Sequence, residues 1–395
     1  MVSPLNPRMA ATFLPPVMEA RRWLEGVEFP ADRPLLNVSQ AAPVAPPPLA
    51  LRQAIADAAL NMDEAHLYGP VLGNDNLRDE IALRWSQSYK TTIQRDQVAI
   101  TSGCNQAFAA TLATIAGDAD EVILPAPWYF NHKMWCDMQG VRAVPLATGD
   151  DLLPDPARAE ALITDRTRAI ALVSPNNPGG VEYPAELLQA FYDLCSRKGI
   201  TLMLDETYRD FDSRCDGVSS AAHSLFDNPD WDQTLIHLYS FSKAFRLTGH
   251  RVGAFIASKS RLSEAEKFLD TVAICPNQLG QIAALWGLQK LTDWVLGERL
   301  EILDRAQAIR EGFPQLPDWK LLGCGAYFAW VEHPFDLRSD QLAQRLVRDA
   351  GVLILPGTMF TPEGDRAGAK QLRIAFANID RPGISDMFER LKNVS

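Results

Sequence analysis

The 395-residue chain is short of several features that would announce a function class. Its six cysteines, Cys104, Cys136, Cys195, Cys215, Cys275 and Cys324, are scattered without one C-x-x-C pair. That argues against a zinc site, or any other metal site, and for free thiols in a reducing cytoplasm. No apolar stretch approaches the length that spans a bilayer. The N-terminus lacks the basic segment and apolar run of a secretory signal. No G-x-G-x-x-G follows a strand-like run, so a nicotinamide-binding fold lacks its fingerprint. Positive charge is in deficit: 38 Lys and Arg against 49 Asp and Glu, a formal net charge of −11. A nucleic-acid backbone or an anionic membrane is therefore a poor partner. A small anionic ligand stays possible, because a few local donors suffice to hold a phosphate.

What is present is ordinary for a globular protein, 47% hydrophobic and 22% charged. The length calls for more than one domain. A short amphipathic segment, 17–24, precedes the proline-rich stretch AAPVAPPP at 41–48, read as an extended connector. Helical patterns at 49–60, 76–89 and 106–116 then alternate with short apolar runs. The runs at 97–101, 121–124, 169–173, 201–204, 235–239 and 252–256 read as strands of a mostly parallel, buried sheet. Beyond about residue 280 the texture changes. A long helical pattern at 279–310 is followed by strand-like pieces at 327–331, 351–355 and 372–376, with a helix at 341–350 among them. The expected division is an N-terminal segment, 1–45, a large α/β domain, 46–285, and a smaller α+β domain, 286–395.

Unusual polar residues follow the apolar runs, where ligands collect in open α/β sheets. Lys243, in YSFSKAFRLTGHRVG, is poorly placed for a solvated charge. Burial and nearby cations would lower its pKa and make the amine nucleophilic. Ser240 and Arg251 offer a hydroxyl and a guanidinium fork suited to phosphate. Asp205 ends the run TLML, and a buried carboxylate there needs a partner such as a protonated ring nitrogen. Tyr208 follows three residues later. SPNNPGG at 174–180 holds Asn177 in a rigid loop. TSGCN at 101–105 is a strand-to-helix turn whose backbone N–H groups make an anion site.

Together these motifs resemble the fold-type I pyridoxal 5′-phosphate (PLP) enzymes of the class I/II aminotransferase family. The likeness runs from YGPVLG at Tyr68 to LRIAFAN around Arg373, and SFSKAFRLTGHRVG is its most specific piece. It implies an aspartate aminotransferase-like α/β fold: a large PLP-binding domain with a mostly parallel seven-stranded sheet flanked by helices, plus a smaller α+β domain. It implies that Lys243 forms a Schiff base with the cofactor and then moves the substrate proton, as an amino group passes from an α-amino acid to a 2-oxo acid. Asp205 would pair with the pyridine nitrogen; Tyr208 and Asn177 would bond the phenolic oxygen. Gly103, Cys104, Asn105, Ser240 and Arg251 would cradle the phosphate. Tyr68 would reach the phosphate of a neighbouring subunit in a homodimer with shared active sites. Arg373 would clamp the substrate carboxylate, with Asn177 and Ala41 beside it. For the ring that stacks on the cofactor, Trp128 is favoured because it follows Pro127 just after a strand; Tyr129 is its rival. His132 is read as a structural residue outside the catalytic set.

The sequence departs from the family in three places. Gly179 stands where threonine is usual, and Ala41 where a glycine near the substrate carboxylate is common. Cys104 and Asn105 replace small or hydroxyl residues at the phosphate turn. Other PLP chemistry on the same fold (C–S lyase, decarboxylase or oxidase) and a PLP-binding regulator are the alternative readings, because fold does not dictate reaction.

Overall fold

The computed structural model describes residues 3–215 and 220–394. Its centre is a seven-stranded sheet: β1 (Val98–Thr101), β2 (Glu121–Ala126), β3 (Arg142–Ala147), β4 (Thr167–Val173), β5 (Thr201–Asp205), β6 (Leu235–Ser240) and β7 (Gly253–Ile256). The spatial order is β1-β7-β6-β5-β4-β2-β3. Only the two pairings made by β7 are antiparallel. The strands are nearly continuous apolar runs because helices cover both faces. Leu202 and Leu204 join one core with Trp85, Phe191 and Tyr239. Met203, between them, joins the opposite core with Phe108, Leu112 and Phe255. The period of two along β5 thus sorts its side chains between two faces.

The parallel strands all end at one edge. β7 runs the other way, so the residues before it, not after it, reach that edge. Thr101 and Ser240 both lie opposite Gly253, which brings Arg251 beside the turn that follows β1. A second, antiparallel sheet contains β8 (Lys320–Gly325), β9 (Phe328–Glu332), β10 (Leu355–Pro356) and β11 (Gln371–Ile374), in the order β10-β11-β9-β8. Leu36–Asn37 pairs in parallel with Val352–Leu353, and Ala375 N–H donates to Val38 O at 2.8 Å. The N-terminal segment is thereby stitched to this smaller lobe, next to Arg373. Among the described residues no helix is long and apolar enough to cross a membrane.

One reading of the sequence needs correction, and several elements went unread. The pattern at 279–310 is two helices, Gln278–Lys290 and Thr292–Gly312, with a break at Leu291. Leu288, Leu291 and Val295 all enter the same core, so the apolar spacing runs through the break unmarked. The strand β3 was not read at all. It lies at the sheet edge, contains Pro145 and alternates exposed with buried positions, so it carries no apolar run. The helices Phe130–Gln139, Ala185–Lys198 and Lys259–Ala273, and the strand β8, were likewise not read.

Candidate active site

At the shared strand edge lies a cavity of about 410 Å³, walled by both lobes. Lys243 sits in a helical turn, Phe241–Ala244, directly after β6. Ser240 caps that turn by accepting the Ser242 N–H at 3.2 Å. The Lys243 Nζ reaches the cavity and donates to Ala41 O at 2.5 Å. Desolvation, then the charges of Arg373 and Arg251, lower its pKa from 10.5 to about 8. The amine is therefore far more often neutral than a surface lysine.

Asp205, the last residue of β5, points into the cavity from the same face as Met203. Its Oδ1 accepts the Thr207 N–H at 2.9 Å, and its Oδ2 lies 3.3 Å from His132 Nε2. Burial would raise its pKa, but His132 and Thr207 outweigh burial and hold it below the usual value, so it stays ionised. Tyr208 is buried against Tyr327 and Phe328 with Lys243 Nζ 5.9 Å from its ring centre, and burial keeps it a phenol.

One end of the cavity is built for an anion. The helix Cys104–Ile115 starts there, and the N–H groups of a helix's first turn have no partner within the helix. Gly103, at φ +88°, precedes it, and a Cβ on Gly103 would lie 2.3 Å from the Arg251 guanidinium. Only glycine leaves the guanidinium room over this turn. Arg251 donates to Thr248 O at 3.0 Å and to Ser242 Oγ at 3.4 Å. Cys104, Asn105, Ser240 and Ser242 also line this end.

At the other end, Arg373 on β11 is 2% exposed. It donates to Asn177 Oδ1 at 2.9 Å and to Ser39 O at 2.5 Å, and its Nε has no hydrogen-bond partner among the described residues. Its guanidinium is packed against the rings of Phe360 and Phe328. Burial lowers its pKa to about 10. A buried guanidinium with neutral partners is costly unless an anion arrives.

The cavity thus gathers Lys243, Asp205, Tyr208, Asn177, Cys104, Asn105, Ser240, Arg251, Arg373 and Ala41 from the sequence reading, with Gly103 immediately behind Arg251. It leaves out two residues. Trp128 is buried in the core with Phe108 and Cys136, and its backbone N–H donates to Phe360 O at 2.8 Å. Tyr129, not Trp128, faces the cavity: successive residues of this extended turn point opposite ways, and the larger indole takes the apolar side. The Tyr129 hydroxyl donates to Asn105 Oδ1 at 3.2 Å and accepts from Asn131 Nδ2 at 2.9 Å. Tyr68 is 79% exposed and does not reach the cavity of its own chain. His132, read from the sequence as a structural residue, stacks on Phe108 with ring centres 3.8 Å apart and lies 3.3 Å from Asp205. Thr207, Ser242 and Thr248 were passed over. Among the described residues no cluster of His, Cys, Asp and Glu could hold a metal ion.

The arrangement fits pyridoxal 5′-phosphate on the molecule's own terms. The anion cradle has no carboxylate of its own, the depressed lysine suits a carbonyl, and the ionised Asp205 suits a ring N–H.

Comparison with known proteins points the same way. The chain is 27% identical over 336 residues to the aromatic aminotransferase ISS1 of Arabidopsis thaliana, covering 82% of this chain and 81% of that protein. It is 28% identical over 371 residues to a valine–pyruvate aminotransferase of Mycobacterium tuberculosis, 92% of each. A solved Thermus thermophilus aspartate aminotransferase superposes with a TM-score of 0.88 over all of both chains at 23% identity, a likeness of fold. The family described as aminotransferase class I and II matches residues 33–391, and with that span this chain belongs to the class I and II aminotransferases.

Proposed function

We propose that this aminotransferase passes an amino group from an α-amino acid to a 2-oxo acid through Lys243, with Arg373 and Arg251 dividing two anionic groups between them. The family uses pyridoxal 5′-phosphate. The observation that carries the reading is the charge of the cavity wall: three cations, Lys243, Arg251 and Arg373, against one acid, Asp205, among the described residues. A phosphate at one end and a carboxylate at the other balance that excess.

Lys243 would hold the cofactor covalently through Nζ. Arg251, Ser240, Ser242 and the turn Gly103–Asn105 would hold its phosphate, Asp205 its ring nitrogen, Asn177 and Tyr208 its ring hydroxyl, and Tyr129 its face. When bound, the cofactor supplies an electron sink for the pair left on the substrate's α-carbon. The chain's own tasks are positioning and proton movement. Arg373 grips the α-carboxylate with its planar fork, a task lysine performs poorly. Lys243, once free, takes and returns the proton at the α-carbon; its pKa near 8 suits both directions. Phe130, Tyr129 and Val17 wall the cavity and limit the entry of water.

The test is a two-step spectroscopic assay on the PLP-loaded protein. An amino acid added alone is expected to bleach the visible cofactor band in a single turnover, and a 2-oxo acid to restore it. Steady turnover without any oxo acid would indicate lyase, decarboxylase or oxidase chemistry instead. Lys243→Ala is expected to lose about 10²–10⁴-fold or more in rate, the usual contribution of a positioned acid–base group.

The two-subunit reading belongs here as well. Tyr68 is exposed beside exposed Leu67 and does not line its own cavity, which suits a contribution to a partner's site. Its neighbour Gly69 is tied to Cys275 Sγ at 3.4 Å, and Asn74 to Gln278 at 2.8 Å, so this segment is held in place for that role. We divide the chain near residues 45 and 285. The helix Thr292–Gly312 then bridges the lobes, with Val295 in the large core and Ile302, Ala306 and Ile309 in the small one. A cytoplasmic location agrees with the six free cysteines.

A further inference from the structure

Behind the strand end that carries Asp205 lies a second polar cluster that the proposed chemistry does not use. Alternation along β5 sends Asp205 to the cavity and Glu206 to the opposite face. There Glu206 enters the core that holds Leu202, Leu204, Trp85 and Tyr89. One carboxylate oxygen of Glu206, Oε2, is the focus of three residues from three separate segments. Tyr89, at the end of the helix Asp75–Tyr89, donates its hydroxyl to that atom. His237 Nε2, on β6, lies 2.7 Å away. His223 Nε2 lies 3.3 Å away, close enough for charge attraction but without hydrogen-bond geometry, its Nδ1 accepting the Leu225 N–H at 3.2 Å. All four residues are buried. Burial alone would raise the Glu206 pKa, yet the two histidines hold the carboxyl well below its usual range.

The cluster sits where the backbone loses its sheet partners. Glu206 N–H makes a last bond, to Leu238 O at 3.0 Å, and the chain then turns through Thr207 and Tyr208. On the far side of that turn, the Arg209 guanidinium lies 4.2 Å from the Trp85 ring centre and donates to Ser88 Oγ at 2.9 Å. The segment bearing Asp205 and Tyr208 is therefore tied at both ends to the helix Asp75–Tyr89, on the side of the sheet away from the cavity.

The geometry points to Glu206 as a positioning residue, whose carboxylate gathers Tyr89, His237 and His223 and so fixes the register of Asp205 and Tyr208 in the cavity wall. This rests on the reading of the cavity as a pyridoxal phosphate site. A buried carboxylate held by two donors and a second imidazole is costly to disturb, and removing one partner leaves buried groups unsatisfied. Its effect on the cavity passes through the backbone, without contact to cofactor or substrate.

The experiment compares Glu206→Gln and Tyr89→Phe with the parent protein by three measurements. These are equilibrium binding of pyridoxal phosphate to the apo-protein, visible circular dichroism per bound cofactor, and kcat separately from KM. Glu206→Gln keeps the shape and removes the charge. It is expected to weaken cofactor binding about tenfold or more, to reduce the visible dichroism by half or more, and to lower kcat with KM little changed. Tyr89→Phe removes one donor and is expected to move all three in the same direction by about threefold. A lower melting temperature with cofactor binding and dichroism unchanged would reduce the cluster to a stability element and overturn the inference. If Glu206→Gln does not fold, Tyr89→Phe decides by the same criteria. A parent protein that binds no pyridoxal phosphate would instead sink the functional reading itself, and this inference with it.

Discussion

At the scale of single residues, the proposed chemistry turns on two cations that the fold treats differently. Lys243 is depressed to about pH 8 by desolvation and by the Arg373 and Arg251 charges. Only its neutral form attacks a carbonyl, and the neutral fraction grows as pH rises. Capture of pyridoxal phosphate by the apo-protein is therefore expected to accelerate roughly tenfold per unit up to about pH 8 and then to level off. Visible absorbance after rapid mixing reads this directly. A midpoint near 10.5, the unshifted lysine value, would mean that the amine is solvated. Arg373 is buried among neutral partners. Arg373→Gln is expected to raise KM for the amino acid about 10- to 100-fold, the worth of a charge-assisted bond of about 1.5–3 kcal/mol. The visible band of the bound cofactor should hardly change. Arg373→Lys should recover little, because a point charge does not reproduce the fork.

At the scale of elements, the proposed phosphate cradle depends on two strands that run in opposite directions. β1 delivers Gly103 and the helix after it, and β7, running the other way, delivers Arg251. A Gly103→Ala substitution meets both a φ of +88° and a guanidinium 2.3 Å from the new Cβ. The guanidinium must move, so phosphate contacts suffer. Cofactor affinity is expected to fall about tenfold, from backbone strain of order 1–3 kcal/mol, while a distant helix such as Arg381–Lys392 keeps its packing. Titration of apo-protein with pyridoxal phosphate measures this, and unchanged affinity would count against the cradle. Elements were legible in proportion to how local their signals are. The buried runs at β4, β5 and β6 announce themselves by composition. The edge strand β3 does not, because its stability comes from pairing with β2. The break at Leu291 is invisible to periodicity because both helices present the same core face.

At the scale of the whole molecule, the proposed second subunit has a decisive test. Two inactive variants, Lys243→Ala and Tyr68→Ala, are expected to regain activity when unfolded together and refolded as hybrids. One of the two sites in a hybrid then combines an intact Lys243 with an intact Tyr68. No recovery on mixing would mean that Tyr68 does not serve the partner's site and would overturn the shared-site reading. The undisturbed protein should migrate in sedimentation at twice the protomer mass of 43.7 kDa.

The polar residues that gather at the strand ends were readable in the sequence by itself. SFSK, DETY, NNPGG and SGCN are local patterns, each a buried run meeting a turn, and short-range sterics and patterning suffice to bring their polar residues to the ends of strands. Which of these ends share a cavity was decided only by the tertiary structure, because strand order is a long-range property. Arg373 meets Asn177 across 196 positions of chain, and Arg251 reaches the Gly103 turn only because β7 is reversed. The choice of Tyr129 over Trp128, the approach of His132 to Asp205 and the gathering of Tyr89 and two histidines on Glu206 belong to the same class. In each case two faces of one sheet compete for neighbouring side chains, and packing against distant segments settles which side each one takes.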